Sequence, residues 1–317
     1  DKNFAPTLPD GHKAKVWYVP RSKTLPERVF QKAARLFAPN QIRLVKIFRE
    51  ARLDVLHFVV PRTEIVGLEH IPKVVTVHDL LFEHYPDLFP TSDLNLRRRS
   101  VEKSVQVAHA IIAVSHQTQQ DIIRFFPTAS DRIHMISEAA GSHYHPRSAK
   151  KITYLCEKYN LPDKYVYYPA NDWPHKNHIQ LLRAWKIVTD SLDERDLGLV
   201  MTGEETSNGV GIKQMIREHN LEHSVHHLGY LPFEEIPTLY SGAVAMIYPS
   251  LFEGFGLPLL EAMKCGCPVG CSDIPVLREV GGKAVLYFDP HQVESIAQAV
   301  LKLVKDEQIR GRLTRSG

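Results

Sequence analysis

Short runs of β-branched and aromatic residues alternate along the chain with segments whose apolar residues recur at helical spacing. The helical pattern is clearest at Ile296, Val300 and Val304. The predicted helices include Asn177–Asp190, Gly211–Asn220, Leu257–Cys265 and Val293–Lys305. The predicted strands are Lys15–Val19, Val55–Val60, Lys73–Val77, Ala110–Val114, Arg132–Ile136, Tyr165–Tyr168, Leu197–Thr202, Val225–Leu228, Ala243–Tyr248, Pro268–Cys271 and Ala284–Tyr287. Strands that alternate with helices form parallel sheets covered on both faces, so the pattern predicts an α/β fold.

A mixed, charged segment between Gly141 and Pro162 interrupts this alternation and contains two prolines. We place a domain boundary there, with an N-terminal domain of residues 1–148 and a C-terminal domain of residues 149–317. A length of 317 residues is sufficient for two medium-sized domains. The prediction is two Rossmann-like α/β domains with a cleft between them.

The composition is that of a globular protein, with 44% hydrophobic and 24% charged residues. No apolar run approaches the roughly 18 residues that a membrane-spanning helix needs, and no signal peptide is visible. The four cysteines form no CxxC pair, which argues against a zinc ribbon or a redox pair. These cysteines are Cys156, Cys265, Cys267 and Cys271. A cytoplasmic location is therefore expected.

Positive charge is concentrated in the N-terminal part of the chain. The net charge is +3, divided into +7 for residues 1–150 and −4 for the remainder. Residues 23–52 carry eight basic side chains against two glutamates. This stretch is interpreted either as a contact with an anionic membrane surface or a phosphorylated acceptor, or as a solvated helix face. The run Arg97–Arg99 is predicted to begin a solvated helix, with an acceptor or membrane contact as the alternative. The modest charge and the lack of a binding motif argue against nucleic acid as a partner.

The most specific chemical signal lies between two glutamates, Glu253 and Glu261. A predicted strand ends at Tyr248, a turn with Gly254 and Gly256 follows, and Pro258 suits the first turn of a helix. The glycines allow a close approach of the backbone to a ligand, and the helix start offers free N–H groups to an anion. A carboxylate accepts two hydrogen bonds at once and therefore suits the paired hydroxyls of a sugar. The alternative is that Glu253 only caps the turn and Glu261 is a surface residue.

A second signal is Lys176, which follows the strand Tyr165–Tyr168 and directly precedes the helix predicted from Asn177. A lysine in this position is suited to neutralising a diphosphate, although a loop lysine is also commonly only solvated. The histidines at 219, 223, 226 and 227 lack a carboxylate or cysteine at matching spacing, so no metal site is predicted there.

The pattern EGFGLPLLE of residues 253–261, together with HKN of residues 175–177, resembles the retaining nucleotide-sugar glycosyltransferases of the two-domain GT-B architecture. The closest group is family 4, also called glycosyl transferases group 1. Further matches are Val74–Leu80, Tyr85–Phe89 and Ile111–Ser115 in the N-terminal half. The WPHKNH and HDLLFEHYPDLF stretches are similar to bacterial mannosyltransferases of polysaccharide assembly, which favours GDP-mannose as the donor.

The resemblance implies roles for the matching residues. Glu261 is expected to bind the ribose hydroxyls of the donor nucleotide, and Glu253 to contact the transferred sugar. Lys176 is expected to stabilise the leaving diphosphate, with His78 across the cleft near the sugar.

The resemblance also assigns the backbone around these side chains. The amides of Phe255, Gly256 and Leu257 are expected near the sugar and phosphates, beside Gly254. Relatives often carry arginine five residues before the lysine, and this chain has Asn171 at that position. Asn171 is therefore expected to belong to the donor site. Transfer is expected to retain the anomeric configuration and to need no metal or other cofactor.

The first hypothesis is thus a retaining glycosyltransferase that moves a sugar from GDP-mannose or a UDP-sugar to a hydroxyl of a glycan or lipid-linked acceptor. Residues 1–66 contain only Gly11, whereas relatives begin with a glycine-rich turn. Residue 1 is therefore expected to correspond to a point inside the first domain, and the C-terminus to stop short of the closing helix. The alternatives are an inactive nucleotide-sugar-binding protein or fragment, and a sugar-nucleotide epimerase of similar fold.

Overall fold

The computed structural model describes residues 53–63, 69–192, 197–206, 209 and 211–317. Two β-sheets, with every pair of neighbouring strands parallel, organise these residues. The first sheet has the order β1-β2-β3-β4 and contains β1 Leu56–Phe58, β2 Lys73–Val77, β3 Ala110–Ala113 and β4 Ile133–Met135. The second has the order β10-β9-β8-β5-β6-β7 and contains β5 Lys164–Pro169, β6 Leu197–Thr202, β7 Val225–His227, β8 Ala245–Tyr248, β9 Val269–Ser272 and β10 Val285–Phe288. The predicted α/β fold with parallel sheets is confirmed.

Helices lie between the strands, and two more follow the last strand. They are α1 Leu81–His84, α2 Thr91–Val107, α3 His116–Phe125, α4 Ala149–Tyr159, α5 His178–Ser191, α6 Ile212–Glu218, α7 Ile236–Gly242, α8 Leu257–Lys264, α9 Pro275–Gly281, α10 Val293–Lys305 and α11 Glu307–Ser316. The predicted bounds of β2, β6 and α10 match the observed ones. Apart from one helix start, the other predicted elements within the described part of the chain differ at their ends by no more than two residues.

One helix start was predicted wrongly. The run Arg97–Arg99 lies in the middle of α2, which begins at Thr91 directly after Pro90. The Pro-Thr-Ser-Asp sequence supplies the start signal, because proline suits a helix N-terminus and Asp93 lies favourably in the first turn. Arg97 pairs with Asp93 one turn earlier on the exposed surface of the helix, at 2.9 Å.

The second sheet buries its central strands on both faces. Every residue of β6 and of β8 is buried, which explains why these strands read as continuous apolar runs rather than as alternating patterns. Trp185 of α5 is fully buried and donates a hydrogen bond from its ring nitrogen to Ser224 Oγ at 3.1 Å. β5 and β8 are neighbours in this sheet although α5, β6, α6, β7 and α7 separate them along the chain. The segments that follow β5 and β8 therefore leave the same edge of the sheet side by side.

Residues 140–148, in the predicted boundary region, pack against the second sheet. Tyr144 is buried within its hydrophobic core. Lys264 Nζ on α8 donates hydrogen bonds to the carbonyls of Ala140 and Gly141, each at 3.1 Å. The Arg147 amide donates to Ser241 Oγ at 3.0 Å. The division at residue 148 stays a prediction.

Two expectations lie outside the described residues: the strand Lys15–Val19 and the basic stretch 23–52. In the part of the chain that the structure describes, no helix has the length and apolar character needed to cross a bilayer.

Candidate functional site

The loop that carries Lys176 is fastened to the ends of two other strands. Lys176 closes a short 3-10 turn, and Asn177 then adopts a left-handed backbone with φ of 65° before α5 begins. The Asn177 side-chain amide donates to the carbonyls of Pro249, at 3.1 Å, and Pro290, at 2.8 Å. These bonds hold the loop after β5 against the segments after β8 and β10.

Lys176 and Glu253 form a largely buried ion pair, with Nζ and Oε1 separated by 2.6 Å. Their side chains are only 15% and 11% exposed, and Lys176 Nζ also donates to the Tyr248 hydroxyl at 3.2 Å. Burial alone would raise the pKa of Glu253, but the charge and the hydrogen bond of Lys176, with smaller contributions from Ser250 and Tyr248, outweigh it and lower this pKa. Glu253 is therefore an anion that faces a cation at the edge of the sheet.

This pair retains hydrogen-bonding capacity. An ammonium group has three N–H donors, and Glu253 and Tyr248 together use two of those on Lys176. One donor remains for an anionic oxygen. Of the roughly four acceptor positions of the Glu253 carboxylate, Lys176, Ser250 and Tyr248 account for three, which leaves about one for a hydroxyl. The arrangement is suited to binding a phosphate oxygen and a hydroxyl next to each other.

The glycine turn after Glu253 touches the carboxyl edge of the first sheet. The Gly254 carbonyl accepts hydrogen bonds from Ser115 Oγ at 2.7 Å and Thr118 Oγ1 at 3.1 Å, at the start of α3. A Cβ atom at Gly254 would lie 1.9 Å from the carbonyl oxygen of His78. The absence of a side chain is thus what permits this contact.

The remaining residues of the predicted turn continue into α8. Phe255 is buried, and Gly256, with φ of 104°, is the residue that precedes Leu257 at the helix start. A φ in this range favours glycine. The turn therefore has the form that the sequence predicted, a glycine-bearing reversal that leads into a helix with Pro258 in its first turn.

His78 directly follows β2 and is held from two sides. One ring nitrogen lies 2.9 Å from the Val59 carbonyl, and the other lies 3.0 Å from Glu138 Oε1. The hydrogen bond to Glu138 is the main reason that the pKa of His78 is raised, and it outweighs partial burial. The backbone carbonyl of His78 lies beside the glycine turn. The expected position of its side chain near the sugar stays a prediction.

Substitution of Glu138 by glutamine is expected to lower the pKa of His78. Because the folded-state pKa is raised, the stabilisation from this pair is fully present below about pH 6.5 and is lost as the pH rises through the raised value. The difference in melting temperature between wild type and Glu138→Gln, with wild type the higher, should therefore be larger at about pH 5.5 than at about pH 8. An NMR titration of the His78 ring would give the pKa directly, with Glu157→Gln on the exposed face of α4 as the control. Identical titration midpoints in both proteins would contradict the role of Glu138.

Glu261 lies on α8, one helix turn beyond Pro258, and contacts two tyrosines. The Tyr240 hydroxyl donates to Glu261 Oε2 at 3.0 Å, and the ring of Tyr144 packs edge to face against that of Tyr240. Burial raises the pKa of Glu261, and the two tyrosine hydroxyls act in the opposite direction. Glu261 is thus only partly exposed and is packed beside tyrosines, unlike the simple surface residue of the alternative interpretation.

Asn171 is exposed at the beginning of the loop after β5, and the structure does not test its expected role. Its neighbour Asp172 is buried and accepts hydrogen bonds from the amide and the hydroxyl of Thr206, both at 2.8 Å. Sequence reasoning missed Tyr248, the tyrosines around Glu261, and the contacts of Ser115 and Thr118. Only Ser115 had a recognisable signal, since serine before a helical segment is a common N-cap and its hydroxyl accepts from the Thr118 amide.

Metal ligands were not expected. Within the described residues, no three His, Cys, Asp or Glu side chains are grouped as a metal site would require. His227, one of the four histidines considered, is instead 3.5 Å from Glu205. The absence of a metal from the reaction stays a prediction.

The chain matches two protein families along most of its length. Residues 156–317 match the family described as Glycosyl transferases group 1, and residues 4–139 match Glycosyltransferase Family 4. It is 34% identical over 245 residues to O-antigen chain mannosyltransferase B of Escherichia coli, covering 77% of this chain and 64% of that protein. It is 29% identical to O-antigen chain mannosyltransferase RfbU of Salmonella typhimurium, covering 77% of this chain and 63% of the relative.

Solved structures share the fold at low sequence identity. Anabaena Alr3699/HepE, crystallised with UDP and glucose, superposes with a TM-score of 0.72 at 20% identity, covering 88% of this chain and 75% of that one. WaaG, a glycosyltransferase involved in lipopolysaccharide biosynthesis, gives 0.68 at 14% identity, covering 86% and 74%. These likenesses confirm the predicted GT-B architecture. Since the first family match alone covers half of the sequence, the chain belongs to the glycosyl transferases group 1 of glycosyltransferase family 4.

Proposed function

We propose that this protein is a retaining hexosyltransferase that moves a sugar from a nucleotide-sugar to a hydroxyl of a glycan or lipid-linked acceptor. The observation that carries the proposal is the Lys176–Glu253 pair at the carboxyl ends of two adjacent parallel strands, with Glu261 on the helix that follows. Open α/β sheets bind nucleotides at such an edge.

In the proposed reaction, the Lys176 ammonium uses its remaining N–H to bind an oxygen of the leaving diphosphate. Negative charge develops on this group as the bond to the anomeric carbon breaks, and a fixed cation in a partly dry site stabilises it. Glu253 holds Lys176 in place and accepts a hydrogen bond from a sugar hydroxyl. The backbone amides from Phe255 to Leu257 supply further fixed donors, so the step proceeds without a divalent ion.

Glu261 is proposed to bind the ribose of the donor, and His78 to lie near the sugar on the side of the first sheet. Transfer then requires the acceptor hydroxyl to attack from the same face that the diphosphate leaves, which retains the anomeric configuration. The proton of the hydroxyl passes to an oxygen of the leaving diphosphate as the new bond forms. No covalent nucleophile is assigned. The side chain of Asn171 is proposed to face the donor phosphates in the position where relatives carry arginine.

GDP-mannose is the proposed donor, with a UDP-sugar as the alternative. Two relatives that match more than three quarters of this chain are named as O-antigen chain mannosyltransferases, which supports mannose. The fold neighbour with UDP and glucose supports the general class of nucleotide-sugar only. The proposed acceptor is accordingly a hydroxyl of a growing glycan or of its lipid-linked precursor, with the enzyme working in the cytoplasm or at the inner face of the membrane.

The test is a thermal-shift titration with GDP, UDP, ADP and their common sugar conjugates. A ligand that binds only the folded protein adds about 2.7 kcal/mol of stability at a hundredfold excess over its dissociation constant. We expect one nucleotide to raise the melting temperature of wild type and of Glu157→Ala, an exposed glutamate on a helix, but much less that of Glu261→Ala. A shift with none of the nucleotides would overturn the donor-site assignment. Product analysis with the binding sugar conjugate then distinguishes transfer from epimerisation and from binding alone.

A further inference from the structure

Two tyrosines from separate parts of the chain converge on the Glu261 carboxylate. Tyr240, on α7, is fully buried and donates to Glu261 Oε2 at 3.0 Å. Tyr144 belongs to the segment of residues 140–148, is buried, and acts with Tyr240 to lower the pKa of the same carboxylate. The two rings meet edge to face, with centroids 6.1 Å apart.

Both tyrosines are themselves fixed by packing. The Tyr240 ring makes an edge contact with Tyr167 on β5 at 5.1 Å, and the Tyr144 ring makes one with Phe233 at 6.0 Å. Lys264, which lies on α8 with Glu261, binds two carbonyls of the segment that carries Tyr144. The hydroxyls therefore have little freedom to follow a carboxylate that moves, so they define its position.

The two hydroxyls leave part of Glu261 free. A carboxylate has about four acceptor positions, of which the Tyr240 hydroxyl occupies one. The residue is partly exposed, so the other positions are accessible to a ligand. Since the tyrosine hydrogen bonds favour the ionised form, they also counter the effect of burial on this acid.

We propose that Tyr144 and Tyr240 are positioning residues that hold the Glu261 carboxylate ready for the ribose hydroxyls of the donor nucleotide. This inference rests on the proposed function, because it takes Glu261 as the ribose ligand. Neither tyrosine touches the nucleotide in this arrangement. Each acts by holding Glu261 in the rotamer and charge state that the two vicinal hydroxyls need, so that binding does not have to order the side chain.

The expected signature is selective for the ribose. Tyr144→Phe and Tyr240→Phe keep the buried rings but remove the hydroxyls. Each should weaken the binding of the nucleoside diphosphate by about tenfold, the size of one charge-assisted hydrogen bond. The 2′,3′-dideoxy analogue has no ribose hydroxyls for Glu261 to accept from. It should therefore bind more weakly than the ribonucleotide, with the same affinity for wild type and for both variants.

The experiment measures dissociation constants by titration calorimetry for GDP and UDP and for their 2′,3′-dideoxy analogues. The proteins are wild type, the two phenylalanine variants, and both variants in a Glu261→Ala background, where the tyrosine changes should have no further effect. Tyr154→Phe, at a tyrosine that is 65% exposed on α4, is the matched control. Melting temperatures show that each variant is folded.

Equal weakening of ribonucleotide and dideoxynucleotide, or no weakening of either, would overturn the positioning role while leaving the donor site intact. If wild type binds neither GDP nor UDP, the proposed function itself fails, and the inference fails with it. A loss that persists in the Glu261→Ala background would likewise show that the tyrosines act on something other than this carboxylate.

Discussion

Replacement of Lys176 by methionine is expected to lower kcat for sugar transfer by about 10²–10³-fold, the usual cost of removing one preorganised group that stabilises developing negative charge. The proposed interaction with the diphosphate strengthens as the bond breaks. The change in kcat should therefore exceed the change in KM. Steady-state kinetics with the donor identified by thermal shift would measure both constants. A variant that retains its rate within a few-fold would remove Lys176 from the proposed reaction.

The same substitution has a second expected effect, on stability. Lys176→Met leaves the carboxylate of Glu253 buried without its cation, which typically costs about 3–5 kcal/mol. The double variant Lys176→Met, Glu253→Gln removes both charges and should recover part of this loss, although not the activity. Lys186→Met is the matched control, because Lys186 pairs with Asp190 on the exposed surface of α5. Its stability and rate should stay close to wild type.

Gly254→Ala is expected to reduce transfer by about 10²-fold or more, because displacing reacting groups by even about 1 Å has consequences of this size. The added Cβ would meet the His78 carbonyl oxygen at 1.9 Å and the Asp79 Cβ at 2.9 Å. Since the first contact is with backbone, no rotamer change relieves it. The glycine turn must withdraw from the first sheet, and the Gly254 carbonyl then loses its hydrogen bonds from Ser115 and Thr118.

Kinetics and urea denaturation of the same variant would separate these effects. Overpacking typically costs about 1–3 kcal/mol, so the denaturation midpoint should fall measurably while the protein still folds. Gly311→Ala is the control, because its Cβ would meet only the end of the Arg315 side chain, at 3.3 Å. Within α11 that change should gain up to about 1 kcal/mol of helix stability. If Gly254→Ala has wild-type activity, the contact between the turn and His78 is not needed for the reaction.

The strands were predictable because a buried parallel strand is a short run of mainly apolar and β-branched residues. Most residues of β2 and β6 are of these types. Local spacing also identified Lys176 and Glu253 as residues at the ends of strands. Their ion pair could not be read from the sequence, because it depends on β5 lying beside β8. Strand order is set by packing over the whole sheet, and one sequence does not display it.

Tyr144 shows a second limit of the sequence. It lies in a charged, proline-containing stretch that has the composition of a linker, and an isolated aromatic residue there gives no periodic signal. Only the packing against Tyr240 reveals it as a buried residue of the core. The roles of Glu253, Glu261 and His78 came from the family resemblance rather than from spacing, and they stay predictions until the variants above are measured.

The attachment of residues 140–148 to α7 and α8 has a consequence for building chimeras. Suppose that the halves of two related transferases were exchanged at residue 148. Lys264 and Ser241 would then contact a backbone segment from the other protein, and Glu261 would lie near whatever residue that protein carries in place of Tyr144. A junction placed after β4 and before Ala140 keeps these partners together. Exchange of the first sheet at such a junction leaves Ser115 and Thr118 as the residues that the new half must reproduce, because their hydroxyls donate to the Gly254 carbonyl.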